Sequence, residues 1–188
     1  MAQLFAPRAN VVVRSVLVAA GGLAVCASFA VWAFARSPAA TGQYRRPEQP
    51  IPFSHPLHVN ALQIDCRYCH TGAERSTMAG LPPTKACVPC HRDDLLQTSL
   101  FAPLRQSLSS GRGIAWRRVT SLPDFVFFDH AVHVRTGVAC ESCHGPVQLM
   151  HELYQAAPLT MESCLGCHRA AAAGYDRGRL TSCTTCHR

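Results

Sequence analysis

Past its first forty residues the sequence has no long amphipathic period and no alternating strand pattern. Large aliphatic side chains are sparse there, so residues 53–188 cannot fold around a sizeable hydrophobic core of their own. Lysine is nearly absent: Lys85 is the only one, beside 17 arginines. Acidic residues number 11 against 18 basic ones, a formal charge of +7. The arginines are spread out rather than clustered, which argues against nucleic acid as the partner. One long apolar run is present, long enough to cross a membrane as a helix.

Cysteine and histidine are what the chain has in excess. Ten of its eleven cysteines fall in five copies of Cys-x-x-Cys-His. The copies are Cys66, Cys69 and His70; Cys87, Cys90 and His91; Cys140, Cys143 and His144; Cys164, Cys167 and His168; and Cys183, Cys186 and His187. Cys26 alone is left over. Structural zinc needs such hairpins in pairs to complete four ligands, and five is odd. Disulfides would not need a histidine after every second cysteine. The pattern is the attachment signature of c-type haem. Both cysteines add to the haem vinyl groups, and the histidine becomes the proximal iron ligand. Five motifs therefore predict five covalent haems, whose propionates offset much of the positive charge.

Each such iron has one further axial position. Five histidines lie outside the motifs: His55, His58, His130, His133 and His151. Four of them form two His-x-x-His pairs, each about ten residues ahead of a motif. Ser54 and Asp129 stand at helix N-cap positions, and residues i and i+3 of a turn share one face. Each pair is therefore read as one turn offering distal ligands to two haems. For the fifth iron His151 balances the count, with Met150 and Met161 as rivals and Met78 a weaker candidate; methionine would raise that haem's potential relative to a bis-histidine haem. With every iron six-coordinate, the reading is electron transfer and not catalysis. A multihaem reductase, often with a lysine as proximal ligand, is disfavoured because Lys85 lies outside every motif. A stand-alone membrane-anchored quinol dehydrogenase is the other alternative.

The expected organisation has three parts. Residues 1–36 hold a cytoplasmic end and a transmembrane anchor; the 21 uncharged residues from Ser15 to Ala35 would make roughly 31 Å of helix. A cleaved signal peptide is the competing reading of this run. Residues 37–52, rich in proline, are expected to be an extended tether. Residues 53–188 form a small, mostly irregular and α-helical haem-packed domain. It repeats: two units, 53–91 and 128–168, each carry one His-x-x-His pair and two motifs. Residues 92–127 link them, and the fifth motif follows at 183–187. A short helix is expected from Asp93, as cap, to Ala102, with Pro103 as its stop, and Ser109–Gly113 as a loop.

These motifs and the residues between them ("DCRYCHTGAERSTMAGLPPTKACVPCH", "FDHAVHVRTGVACESCHGPVQLM", "LTSCTTCHR") resemble the pentahaem cytochrome subunits (the ActA family) of bacterial alternative complex III. The short His-x-x-His units also resemble the small class III multihaem cytochromes. The resemblance implies a haem domain on the periplasmic side of the inner membrane, anchored by one N-terminal helix. Its implied partners are an iron–sulfur subunit as electron donor, a monohaem cytochrome c or oxidase as acceptor, and an integral membrane quinol-binding subunit. It also puts weight on Met150 or Met161, and less on His151, as the fifth distal ligand.

Overall fold

The computed structural model describes residues 6–92, 96–170 and 174–187. It divides into two compact units, residues 1–42 and 43–188. The first holds α1 (Pro7–Ala35) and a single turn, α2 (Pro38–Thr41). Pro7 sits in the first turn of α1, where its missing N–H costs no hydrogen bond. The helix therefore starts two turns ahead of the uncharged run and includes Arg8 and Arg14. At 1.5 Å per residue it is about 44 Å long. It is long and apolar enough to cross a membrane, and its apolar side chains lie open along its length. Near the C-terminal end the Arg36 guanidinium lies 4.7 Å from the Trp32 ring centre. Gly42, with φ of 73°, closes α2 in a left-handed conformation that glycine adopts without a Cβ penalty.

The second unit is built from short pieces, and no strand occurs among the described residues. A single π-turn (Pro56–Ala61) leads to α3 (Cys66–Cys69). After a 3₁₀ turn (Thr84–Cys87) and another (Ser99–Phe101) comes α4 (Ala102–Ser110). Then follow α5 (His130–Arg135), α6 (Glu141–His144), a 3₁₀ turn (Val147–Leu149), α7 (Met161–Ala170), α8 (Arg177–Leu180) and α9 (Cys183–Cys186).

Two local expectations are corrected. The helix expected to stop at Pro103 is present only in part, with Leu96 and Gln97 helical and a 3₁₀ turn at Ser99–Phe101, and Pro103 does not end it: proline sits in the first turn of a new helix, α4, that runs to Ser110. Ser109 and Ser110 belong to that helix, and only from Gly111, at φ 69°, does the loop start. Asp93, the expected cap, lies outside the described residues. The proline-rich segment is also less free than a tether. From Gln43 on it is pinned to the haem-motif unit: the Tyr44 N–H donates to the Gln155 carbonyl at 3.0 Å, and Gln43 and Gln49 donate side-chain bonds to the Ala156 and Arg117 carbonyls, each at 2.9 Å.

The core of this unit is small, as its composition requires. Among the described residues its buried apolar side chains are Ile51, Ala73, Leu104, Ala131 and Met150, and none is wholly enclosed. Tyr68, Leu81, Leu100 and Val132 are each more than half exposed. A chain with so little core of its own needs a large apolar partner to fold against. Leu104 of α4 is 2 % exposed, and α4 meets the turn leading into the second motif, where the Thr84 and Ser107 hydroxyls bond at 2.6 Å. Leu104→Ala should cost about 2–5 kcal/mol by the usual leucine-to-alanine range. Thermal unfolding followed in the visible spectrum checks this, with the lowest transition belonging to the haem of the second motif.

Candidate functional site

The two His-x-x-His stretches fold into one-turn platforms, each presenting two imidazoles. Ahead of α5 the Asp129 carboxylate accepts from the Ala131 N–H at 2.9 Å, the N-cap expected from its position. In the first copy Ser54 Oγ accepts from the Leu57 N–H at 3.2 Å. Pro56 supplies no N–H, and the turn widens to a π-turn, closed by Leu62 N–H to the Leu57 carbonyl at 2.9 Å.

A phenylalanine organises each platform. Phe53 meets His55 edge-on at 4.8 Å and stacks on His58 at 4.3 Å. Phe128 repeats this with His130 at 4.8 Å, edge-on, and His133 at 4.4 Å, stacked. One aromatic ring thus sets two imidazoles at a large angle to each other, so they face different directions from one turn. The sequence carried the signal, Phe-x-His-x-x-His twice, but its role needed the geometry.

Backbone carbonyls fix the orientation of six imidazoles. Nδ1–H donates to Ser54 from His58 (2.8 Å), to Gly80 from His70 (2.7 Å), to Thr77 from His130 (2.8 Å) and to Asp129 from His133 (2.7 Å). It donates to Leu180 from His168 (2.9 Å) and to Phe125 from His187 (3.1 Å). A carbonyl can only accept, so in each case the proton sits on Nδ1 and Nε2 keeps its lone pair. That is the tautomer a metal-ligating histidine adopts, with its second nitrogen held by the surrounding protein. The Nδ1 atoms of His55 and His91 are buried without a hydrogen-bond partner. Burial, and then the nearby His70 and His58, hold His55 down to about 4. Burial also lowers His91 and His144, helped by His58 in the first case and by His130 in the second. All three are kept neutral, the form that binds a metal.

The rings then meet in facing pairs. His58 and His91 have centres 5.9 Å apart, His130 and His144 6.3 Å, and His133 and His168 6.0 Å. The interplanar angles are 39°, 7° and 21°. A ligated imidazole nitrogen lies roughly 2.0 Å from its metal, so two rings on opposite sides of one metal ion have centres about 6 Å apart once the ring radii are added. The donor set and the spacing fit a haem iron between each pair. Every pair joins a His-x-x-His residue to a motif histidine.

The motif cysteines show which motifs adjoin. Burial raises these thiols, and a thiol of another motif adds to the effect in each of four cases. Cys69 acts on Cys87, Cys140 on Cys66, Cys167 on Cys143, and Cys186 on Cys164. The motifs therefore neighbour one another in the order second, first, third, fourth, fifth. The seam between the two sequence units is the contact of the first with the third.

The three leading candidates for a fifth distal ligand lie in different surroundings. Met150 is buried, its Cε beside Gly145, directly after the third motif. Met161 is exposed and opens α7, one turn before Cys164. His151 is exposed.

Residues 126–188, which hold the second platform and the last three motifs, match the family described as cytochrome c7 and related cytochrome c. Over 124 residues the chain is 39% identical to the menaquinone reductase, multiheme cytochrome c subunit, of Nitratidesulfovibrio vulgaris strain Hildenborough. That stretch is 65% of this chain and 56% of the relative, so the match spans little more than half of that protein. The helical, strand-poor second unit is a multihaem cytochrome domain with covalently bound c-type haem, preceded by one apolar N-terminal helix.

Proposed function

We propose that this chain is the electron-relay subunit of a quinone-linked membrane complex of the alternative complex III type. It carries five c-type haems, one on each Cys-x-x-Cys-His, in a domain held at the periplasmic face of the inner membrane by α1. The observation that carries the reading is the set of three facing imidazole pairs, which leaves no open axial position on those irons. Bound haem supplies one-electron chemistry; the chain's own residues hold the irons six-coordinate, orient the imidazoles and keep the groups in contact.

In this assignment His70, His91, His144, His168 and His187 are the proximal ligands. His58 serves the second motif's haem, His130 the third and His133 the fourth. His55, the remaining member of the first pair and a neighbour of His70, serves the first. The fifth motif is then left with a non-pair ligand. Met161 is favoured over Met150 and His151: it stands one turn from Cys164, whose neighbour is Cys186 of the fifth motif, whereas Met150 packs beside the third, already served by His130. The ferric protein should show the weak far-red band of methionine-to-iron coordination. Met161→Ala should abolish it and Met150→Ala should leave it; the reverse result reassigns the ligand to Met150.

The partners are an iron–sulfur subunit, an integral membrane quinone-binding subunit and a monohaem cytochrome c or oxidase. The name of the Nitratidesulfovibrio relative favours a second direction of flow, towards menaquinone instead of away from quinol. Purified complex given a menaquinol analogue distinguishes the two: rapid haem reduction supports quinol oxidation. Oxidation of pre-reduced haems by a menaquinone analogue, without reduction by the quinol, supports the other. A purified chain that oxidises the quinol unaided would contradict the relay reading.

A further inference from the structure

We infer that the loop following the first motif is a shared strap that orients iron ligands of both repeat units, and that Gly72 is its positioning residue. The inference rests on the haem-ligand reading above. The loop, residues 71–80, closes on itself: the Gly72 N–H donates to the Ala79 carbonyl at 3.1 Å, and the Arg75 and Ser76 N–H groups return to the Gly72 carbonyl at 3.0 and 2.9 Å. Ala73, inside the loop, is buried. Three successive functions are carried by its backbone carbonyls. Gly80 accepts from His70 Nδ1, within the first unit. Thr77 accepts from His130 Nδ1 at 2.8 Å and from the His130 N–H at 3.3 Å, across to the second unit. Ser76 accepts from the Ala131 N–H at 3.1 Å.

The strap therefore fixes the proximal imidazole of the first motif and the distal imidazole of the third. These two motifs adjoin at the seam between the units, where Cys66 and Cys140 are neighbours. His58 and His133 take their Nδ1 acceptors from their own platforms, and His168 and His187 take theirs from Leu180 and Phe125, so the strap's carbonyls serve the ligands at this seam.

Gly72 makes the closure possible. A Cβ on it would stand 2.5 Å from the Met78 carbonyl oxygen and 2.9 Å from that of Ala79. Both contacts are backbone, so no side chain can swing aside. An alanine must push residues 78 and 79 outward, with Thr77 and Gly80 on either side of them. Weakening an Nδ1–H bond makes an imidazole a poorer donor to iron, which disfavours the ferric form and raises the haem's potential.

The test is Gly72→Ala in the haem-loaded full chain, with Gly113→Ala as control, since a Cβ there meets nothing within 4 Å. Potentiometric titration in the visible range should show two of the haem components moved to higher potential and the others unmoved; the control should match the unaltered protein. A single moved component, or a shift of all of them, overturns the strap. Five low-spin haems in the unaltered protein keep the ligand reading intact in either case, so the two failures are distinguishable. Should Gly72→Ala fail to load haem, amide hydrogen exchange on the unaltered protein decides. The amides of Gly72, His130 and Ala131 should open together, and independent opening of His130 and Ala131 contradicts the proposal.

Discussion

His133→Ala should turn a protein that does not bind carbon monoxide into one that binds a single equivalent per chain. His133 faces His168 at 6.0 Å with its ring nearly parallel, Phe128 stacks on its other side, and Asp129 holds its Nδ1 proton. Alanine removes the donor and leaves those supports in place, so the loss falls on one axial bond. With the haem attached through Cys164 and Cys167, as proposed, the substitution should not release it. The reduced variant should therefore show one five-coordinate haem, seen as a carbon monoxide difference spectrum, on a background of unaltered low-spin haems. The same substitution at His58 should open the haem of the second motif, and at His130 that of the third. If these variants stay six-coordinate, or if the unaltered protein already binds the gas, the facing pairs are not the axial pairs.

Removing the third motif's attachment by Cys140→Ser with Cys143→Ser should have the largest effect on electron exchange. In the order second, first, third, fourth, fifth, the third motif joins the first-unit motifs to the fourth and fifth. The double variant should lose one haem by denatured mass and separate the remaining four into two pairs. Reduction of the haems at one end should then stall before reaching the other, in the assembled complex. Cys87→Ser with Cys90→Ser, at one end of the order, should also lose one haem while the remaining four stay continuous. Equal effects from the two double variants would mean that the motifs do not adjoin in this order.

The difference between those two variants could not be read from the sequence. The positions of Cys-x-x-Cys-His and of His-x-x-His are written in side-chain identity, and the Asp129 cap and the want of a core were legible in the same way. Spatial order depends on contacts between residues far apart in the chain, and no side-chain pattern encodes it. The acceptors of the Nδ1 protons are backbone carbonyls of Thr77, Gly80, Phe125 and Leu180, and any residue has a carbonyl. Gly72 carried a hint, being the residue type that allows close backbone approach. The stop assigned to Pro103 failed because proline is equally at home as a helix start. Likewise the proline-rich run looked like free tether because its anchoring bonds, through Gln43, Tyr44 and Gln49, reach residues far along the chain.

The most direct measurement of the central claim joins iron content to spin state in the purified full chain. Iron per chain with the denatured mass, and electron paramagnetic resonance of the ferric protein, should give five covalently held haems, all low-spin. Fewer than five irons, or a high-spin component in the native ferric protein, would contradict a relay whose every iron is held between two ligands.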